Sequence, residues 1–265
     1  MSALFALSLR QILGGRKLWI LAAFLALPLL LSVAIRFAGG VEFAEDPNVD
    51  IEGLAMSAFL YLMYPQSLCI LAALLFGASL LAGEIEDKTL TYLFTRAVPR
   101  WKVLGGKYIA TAGVLAVLTV ASMSMAFFIS GRPFGLRVWW ALSVVTALAC
   151  FTYTAVFALL GLLVPRRAIP AGLIFAVVVE GLLSTVPALV NELTVGYYLR
   201  SLAWRLADPP LPTSIRADFE RNVAPLFVGA STSTALFALG GIAVGTLAVS
   251  ALLIHRREWP LTEGV

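Results

Sequence analysis

Six apolar runs, each long enough to cross a bilayer as a helix, constrain this chain more than anything else in it. A helix needs about 20 apolar residues to cross a hydrocarbon core about 30 Å thick. The runs cover 18–38, 54–82, 103–129, 138–163, 168–190 and 229–254. The rest of the composition agrees. The 265 residues are 60% hydrophobic and 13% charged, and mean hydropathy is +0.94. Soluble domains are about 45–50% apolar and about 25% charged. A soluble core of this composition would leave large apolar patches in water. The expected fold is an all-α membrane protein with six transmembrane helices.

The net charge of +4 and pI of 9.3 do not point to nucleic acid. Lys and Arg gather at the cytoplasmic ends of membrane helices, and that bias sets orientation. With the N-terminus inside, Arg10, Arg16, Lys17, Lys88, Arg96, Arg100, Lys102, Lys107, Arg166, Arg167, Arg256 and Arg257 face the cytoplasm. Arg36, Arg132, Arg137, Arg200, Arg205, Arg216 and Arg221 face out. Both termini are therefore expected inside, in the cytoplasmic membrane. The loop from Val41 to Glu52 carries only acids, as an external loop can. The first run exceeds the roughly 7–15 residue core of a signal peptide. It is expected to stay as the first span.

Cys69 and Cys150 both lie inside apolar runs and read as small buried hydrophobes, not a disulfide framework. With His255 as the single histidine, no metal-ligand cluster is expected. The chain has no Walker A pattern, no Gly-x-Ser-x-Gly elbow and no His-Glu-x-x-His. It carries neither a P-loop for ATP nor the parts of an intramembrane hydrolase. No catalytic residue, metal or cofactor is expected in it.

Five features are not plain spans. In residues 1–17, Phe5, Leu9, Ile12 and Leu13 form one helical stripe, which suggests a helix lying in the interface. Tyr64 and Pro65 sit inside the second run, where a proline removes a backbone donor and kinks a helix. That break is either a cavity-facing hinge or a bend tolerated by packing, as for Pro28 and Pro187. Glu180 is the one acid well inside a run. Such a group is costly in lipid and needs a cavity or a partner. It reads as a substrate contact, a polar lock at a dimer seam, or a hydrogen bond to a neighbouring helix. Residues 191–228 hold a short amphipathic helix around Tyr198 and Trp204, then the turn Asp208-Pro209-Pro210. They form an external gate, a re-entrant hairpin or an interfacial loop anchored by aromatics.

The fifth feature is the charged segment 83–100 between the second and third runs. Acids (Glu84, Glu86, Asp87) open it and bases (Lys88, Arg96, Arg100) follow. That order suits the helix dipole, and Glu84 with Lys88 is a favourable i, i+4 pair. Ile85, Thr89, Tyr92 and Leu93 share a face, and Pro99 ends the helix.

The words Gly83-Glu84-Ile85-Glu86, Thr89-Leu90-Thr91-Tyr92-Leu93, Arg96-Ala97-Val98-Pro99-Arg100 and Gly106-Lys107 resemble the first cytoplasmic loop of ABC-2 type permeases of ABC transporters. Lys88 stands where the family often has glycine. The helix before the first span and the helical insert between the fifth and sixth also resemble that family. The resemblance implies half of a membrane domain, paired with a second copy and docked on a separate ATP-binding cassette subunit that holds ATP and Mg. It implies a coupling helix whose Glu84, Glu86, Asp87, Lys88, Thr89, Tyr92 and Arg96 contact that subunit. Movement of this helix would shift the second and fifth spans, and transport would be export or flipping. Glu180, Tyr64 and Pro65 are candidates for the translocation path or dimer seam. Two other readings are a membrane scaffold with no cargo and an ion-coupled carrier using Glu180. A neighbouring ATP-binding cassette gene would favour the transporter. Transport that depends on pH without any ATPase would favour the carrier.

Overall fold

The computed structural model describes residues 16–37, 51–80, 100–131, 134–186, 189–209, 216–217, 221 and 228–256. Among them the chain is helical and has no strand. The expected interfacial helix up to residue 15, most of the acidic loop and the coupling helix with Glu84, Glu86, Asp87, Lys88, Thr89, Tyr92 and Arg96 lie outside the described residues.

Helix α1 is Arg16–Phe37. The second run is one long rod of three parts. These are α2 (Ile51–Tyr61), a π-helical segment (Leu62–Leu68) and α3 (Cys69–Gly77). Helices α4 (Arg100–Ile129) and α5 (Leu136–Leu163) form the third and fourth runs. The fifth run begins as α6 (Ala168–Ile174) and continues as a π-helical segment (Phe175–Leu182) and a 3-10 turn (Leu183–Thr185). After a second 3-10 turn (Leu189–Leu193) comes the insert helix α7 (Val195–Ala207). Helix α8 (Thr232–Arg256) is the last run.

Five helices are long and apolar enough to span a membrane: 17–37, 53–77, 101–129, 136–163 and 232–256. The fifth run differs from a plain span. Its helical stretch ends at Thr185. Residues 168–185 lie near the lower end of the roughly 17–25 residues of a spanning helix.

The bundle is organised around α5. About 67% of its most apolar stretch is buried, against 22% for α1 and 17% for α8. One core joins the elements through Leu21, Tyr64, Phe127, Tyr153, Leu199 and Leu239. Because Leu199 belongs to it, α7 is a packed part of the bundle, not a loose external loop. Close backbone approach needs glycine on α5. A Cβ on Gly161 would stand 2.1 Å from the Ala78 carbonyl oxygen at the end of the second rod. Helices in lipid gain by such contacts, since apolar burial alone does not favour protein over lipid. Lys17 Nζ donates to Ser79 Oγ at 2.6 Å and ties the start of α1 to the end of the second run. The outer surface is apolar, with Trp19 and Phe237 largely exposed, as a lipid-facing surface requires.

A buried carboxylate between two π-helical segments

Pro65 lacks the N–H that would bond the Tyr61 carbonyl. The rod answers by widening: the Cys69 N–H reaches back five residues to the Tyr64 carbonyl. Ser67 Oγ donates to the Leu62 carbonyl oxygen at 2.8 Å. Around Glu180 the fifth run widens in the same way, and the Leu183 N–H reaches the Val178 carbonyl. π-Helical turns inside α-helices are frequent at functional sites.

The two widened segments meet. Gln66 Nε2 lies 3.5 Å from the Glu180 carbonyl oxygen, and Tyr61 donates its hydroxyl to Gln66 Oε1 at 3.4 Å. The Glu180 side chain is 1% exposed. Its Oε2 accepts from the Tyr153 hydroxyl at 2.8 Å and from the Gly196 N–H at 2.9 Å. Its Oε1 accepts from the Val195 N–H at 3.0 Å. Val195 and Gly196 open α7, so these N–H groups have no partner within their own helix. A carboxylate there is favoured by the helix dipole as well. Thr194 completes the cap, accepting from the Tyr197 N–H at 3.3 Å and donating to the Asn191 carbonyl at 2.7 Å. Position 196 must be small: a Cβ would stand 3.0 Å from Glu180 Oε2 and 3.4 Å from Gln66 Nε2.

Further hydrogen bonds fix the turn between the fifth run and α7. Ser184 Oγ donates to the Glu180 carbonyl oxygen. Arg200 donates to the Ser184 carbonyl and, at 3.0 Å, to Asn191 Oδ1. Glu180 thus joins the second run, α5, the fifth run and α7 inside one protomer.

Of the residues singled out in the sequence, Pro65 and Glu180 lie in the two meeting segments. Tyr64 points elsewhere: its hydroxyl lies 3.0 Å from Ser122 Oγ, which donates to the Leu25 carbonyl at 3.1 Å. It ties the second run to α4 and α1. Gln66, Tyr153, Gly196 and Arg200 were missed. Gln66 carried a signal, being a polar residue beside a proline in an apolar run. Gly196 carried none. Cys69 and Cys150 are free and buried, with their sulfurs 3.3 Å apart.

The opposite end of α7 is polar. Asp208 caps it in the left-handed conformation at φ 42°, its N–H bonded to the Trp204 carbonyl at 3.0 Å. Its carboxylate pairs with Arg216 and, at 2.9 Å, with Arg137 Nη1. The Arg216 guanidinium first, and Arg137 beside it, hold the Asp208 carboxyl below its ordinary range.

The five long apolar helices make this a multi-pass membrane bundle. The family model for ABC-2 family transporter proteins matches residues 3–259, and the chain belongs to that family. It is an ABC-2 type permease and a multi-pass integral membrane protein. No curated protein matches it.

Proposed function

We propose that this chain is the permease subunit of an ATP-driven exporter or flippase in the cytoplasmic membrane. A separate ATP-binding cassette subunit binds ATP and Mg and hydrolyses the nucleotide. The carrying observation is the family match over residues 3–259. Six spans, both termini in the cytoplasm and two copies per complex complete the reading.

The coupling helix is residues 84–98, through Glu84, Glu86, Asp87, Lys88, Thr89, Tyr92 and Arg96. It follows the second run directly. Among the described residues the second and fifth runs are the two with π-helical segments, and they touch at Gln66 and Glu180. Each widened turn is a place where a helix can change register. A push on the second run therefore reaches the fifth run and α7 through this contact. Glu180, Tyr64 and Pro65 act in the translocation path or seam by setting how these helices stand. The ATPase supplies energy through its different contacts with the two states.

The test is co-expression with the ATP-binding subunit and purification through a tag on the permease. The expected result is a two-plus-two complex with vanadate-sensitive ATPase turnover. A pure permease with no ATPase bound overturns the reading and favours a scaffold. Cargo movement driven by a proton gradient alone favours the carrier.

A further inference from the structure

Two cavities open on either side of Trp204, at the end of the bundle where α2, α5 and α8 begin. One is an apolar slot of about 220 Å³ walled mainly by Leu54, Ala58, Leu142 and Ala203. Ser57, Tyr61 and Arg200 are its few polar walls. The other is a polar basin of about 890 Å³ that holds Arg137, Arg205 and Arg216 against Glu192 and Asp208. Trp204 and Val228 line both, so slot and basin adjoin along α7.

The slot is smaller than the roughly 300–1,000 Å³ of a drug-sized site. It suits a single alkyl chain and not a broad ring system. Among the described residues the basin has more guanidinium than carboxylate, which favours an anion. Its arginines are pre-positioned by backbone carbonyls. Arg137 donates from Nε to the Leu206 carbonyl at 3.2 Å, and Arg205 from Nε to the Ala230 carbonyl at 2.6 Å. A guanidinium has five donors in a fixed fork. Arg137 uses Nε and Nη1 in its protein bonds, and its side chain is 61% exposed. Its Nη2 amine remains to meet an acidic head group, the contact that arginine makes best. Trp204 stands at the boundary, where an indole is at home between apolar and wet surroundings.

We propose that slot and basin together bind one single-chain anionic amphiphile as the cargo of the permease. The alkyl chain lies in the slot and the head lies on Arg137 and Arg205. This names a substrate class and rests on the permease reading for the word cargo. The binding itself does not need the ATPase.

The probe is a lysophosphatidylglycerol brominated on its chain, added to the permease in phosphatidylcholine nanodiscs. Bromine quenches nearby tryptophan. The chain has 6 tryptophans, so the signal is the difference from Trp204→Phe. Saturable quenching is expected, weaker by about tenfold in Ala58→Phe and in Arg137→Gln. Both positions are exposed, and the melting temperature of each variant is measured alongside, since Arg137 also bonds Asp208 and the Leu206 carbonyl. Lysophosphatidylcholine with the same chain is expected to bind less tightly. In the complex with the ATP-binding subunit, the anionic probe is expected to raise ATPase turnover in the parent and not in Ala58→Phe. Quenching that rises linearly, or that saturates equally in both variants, overturns the site. Saturable binding with no ATPase response makes the ligand a resident lipid and overturns its role as cargo. Failure of the ATPase to co-purify, with binding intact, sinks the permease reading alone.

Discussion

The two ends of α7 are each held by one carboxylate, and they are held by opposite physics. Glu180 meets the N-terminus from inside the bundle, almost without exposure. It is bonded to two backbone N–H groups and a tyrosine hydroxyl. Asp208 forms the C-terminal cap, its side chain 32% exposed, between two guanidiniums. The dipole favours an acid at the first end and disfavours one at the second. The second end needs Arg137 and Arg216 to offset this. In the dry site every donor left unmatched carries its full desolvation cost. In the wet one, water replaces whatever is lost. The same residue class is therefore structural at one end and adjustable at the other.

The largest effect on stability is expected from Glu180→Ala, which strands the Val195 and Gly196 N–H groups and the Tyr153 hydroxyl. At about 1–3 kcal/mol for each buried unsatisfied group, the loss is roughly 3 kcal/mol or more. Thermal unfolding in nanodiscs measures it, and Glu180→Gln should lose less. A melting temperature unchanged in Glu180→Ala would show that the N-terminal pin is ornamental.

Gly196→Ala comes next. The added methyl must displace Glu180 Oε2 or Gln66, at about 1–3 kcal/mol for overpacking. The same unfolding measurement applies, and a neutral result would mean that α7 slides freely on the fifth run.

Asp208→Asn should cost less than about 1 kcal/mol, as a partly exposed ion pair. The sign of its pH dependence follows from its lowered carboxyl. The stabilisation is present above the ordinary value of 3.8 and disappears as pH falls through the lower value of the folded state. The difference in melting temperature between parent and Asp208→Asn should therefore stay constant from neutral pH down to mild acid. It should vanish only in acid stronger than 3.8. A difference that fades near neutrality would show that the arginines do not hold the carboxylate.

The smallest effect on stability belongs to the double variant Glu84→Lys and Glu86→Lys in the proposed coupling helix. It should leave the melting temperature alone and uncouple ATPase turnover from transport. Normal complex formation and turnover in this variant would end the coupling-helix proposal.

Much of the bundle was legible in the sequence. The run expected at 138–163 is α5 at Leu136–Leu163, and the run at 103–129 is α4 at Arg100–Ile129. The disturbance at Pro65 was visible because proline's missing N–H is a local property. Glu180 stood out because an acid is rare in an apolar run. Its partners did not stand out. Gly196 lies 16 positions away and Gln66 lies 114 away. Nothing about a glycine in the insert after the fifth run announces that a carboxylate needs its N–H.

By itself the sequence determined the all-helical membrane class and the apolar runs that become its long helices. Those follow from how each residue partitions between water and lipid, a property that sums along the chain. Only the tertiary structure decided that α7 is part of the core and that Glu180 caps it. It also decided that slot and basin share Trp204. These depend on which distant groups come within hydrogen-bonding reach, and hydropathy has no term for that.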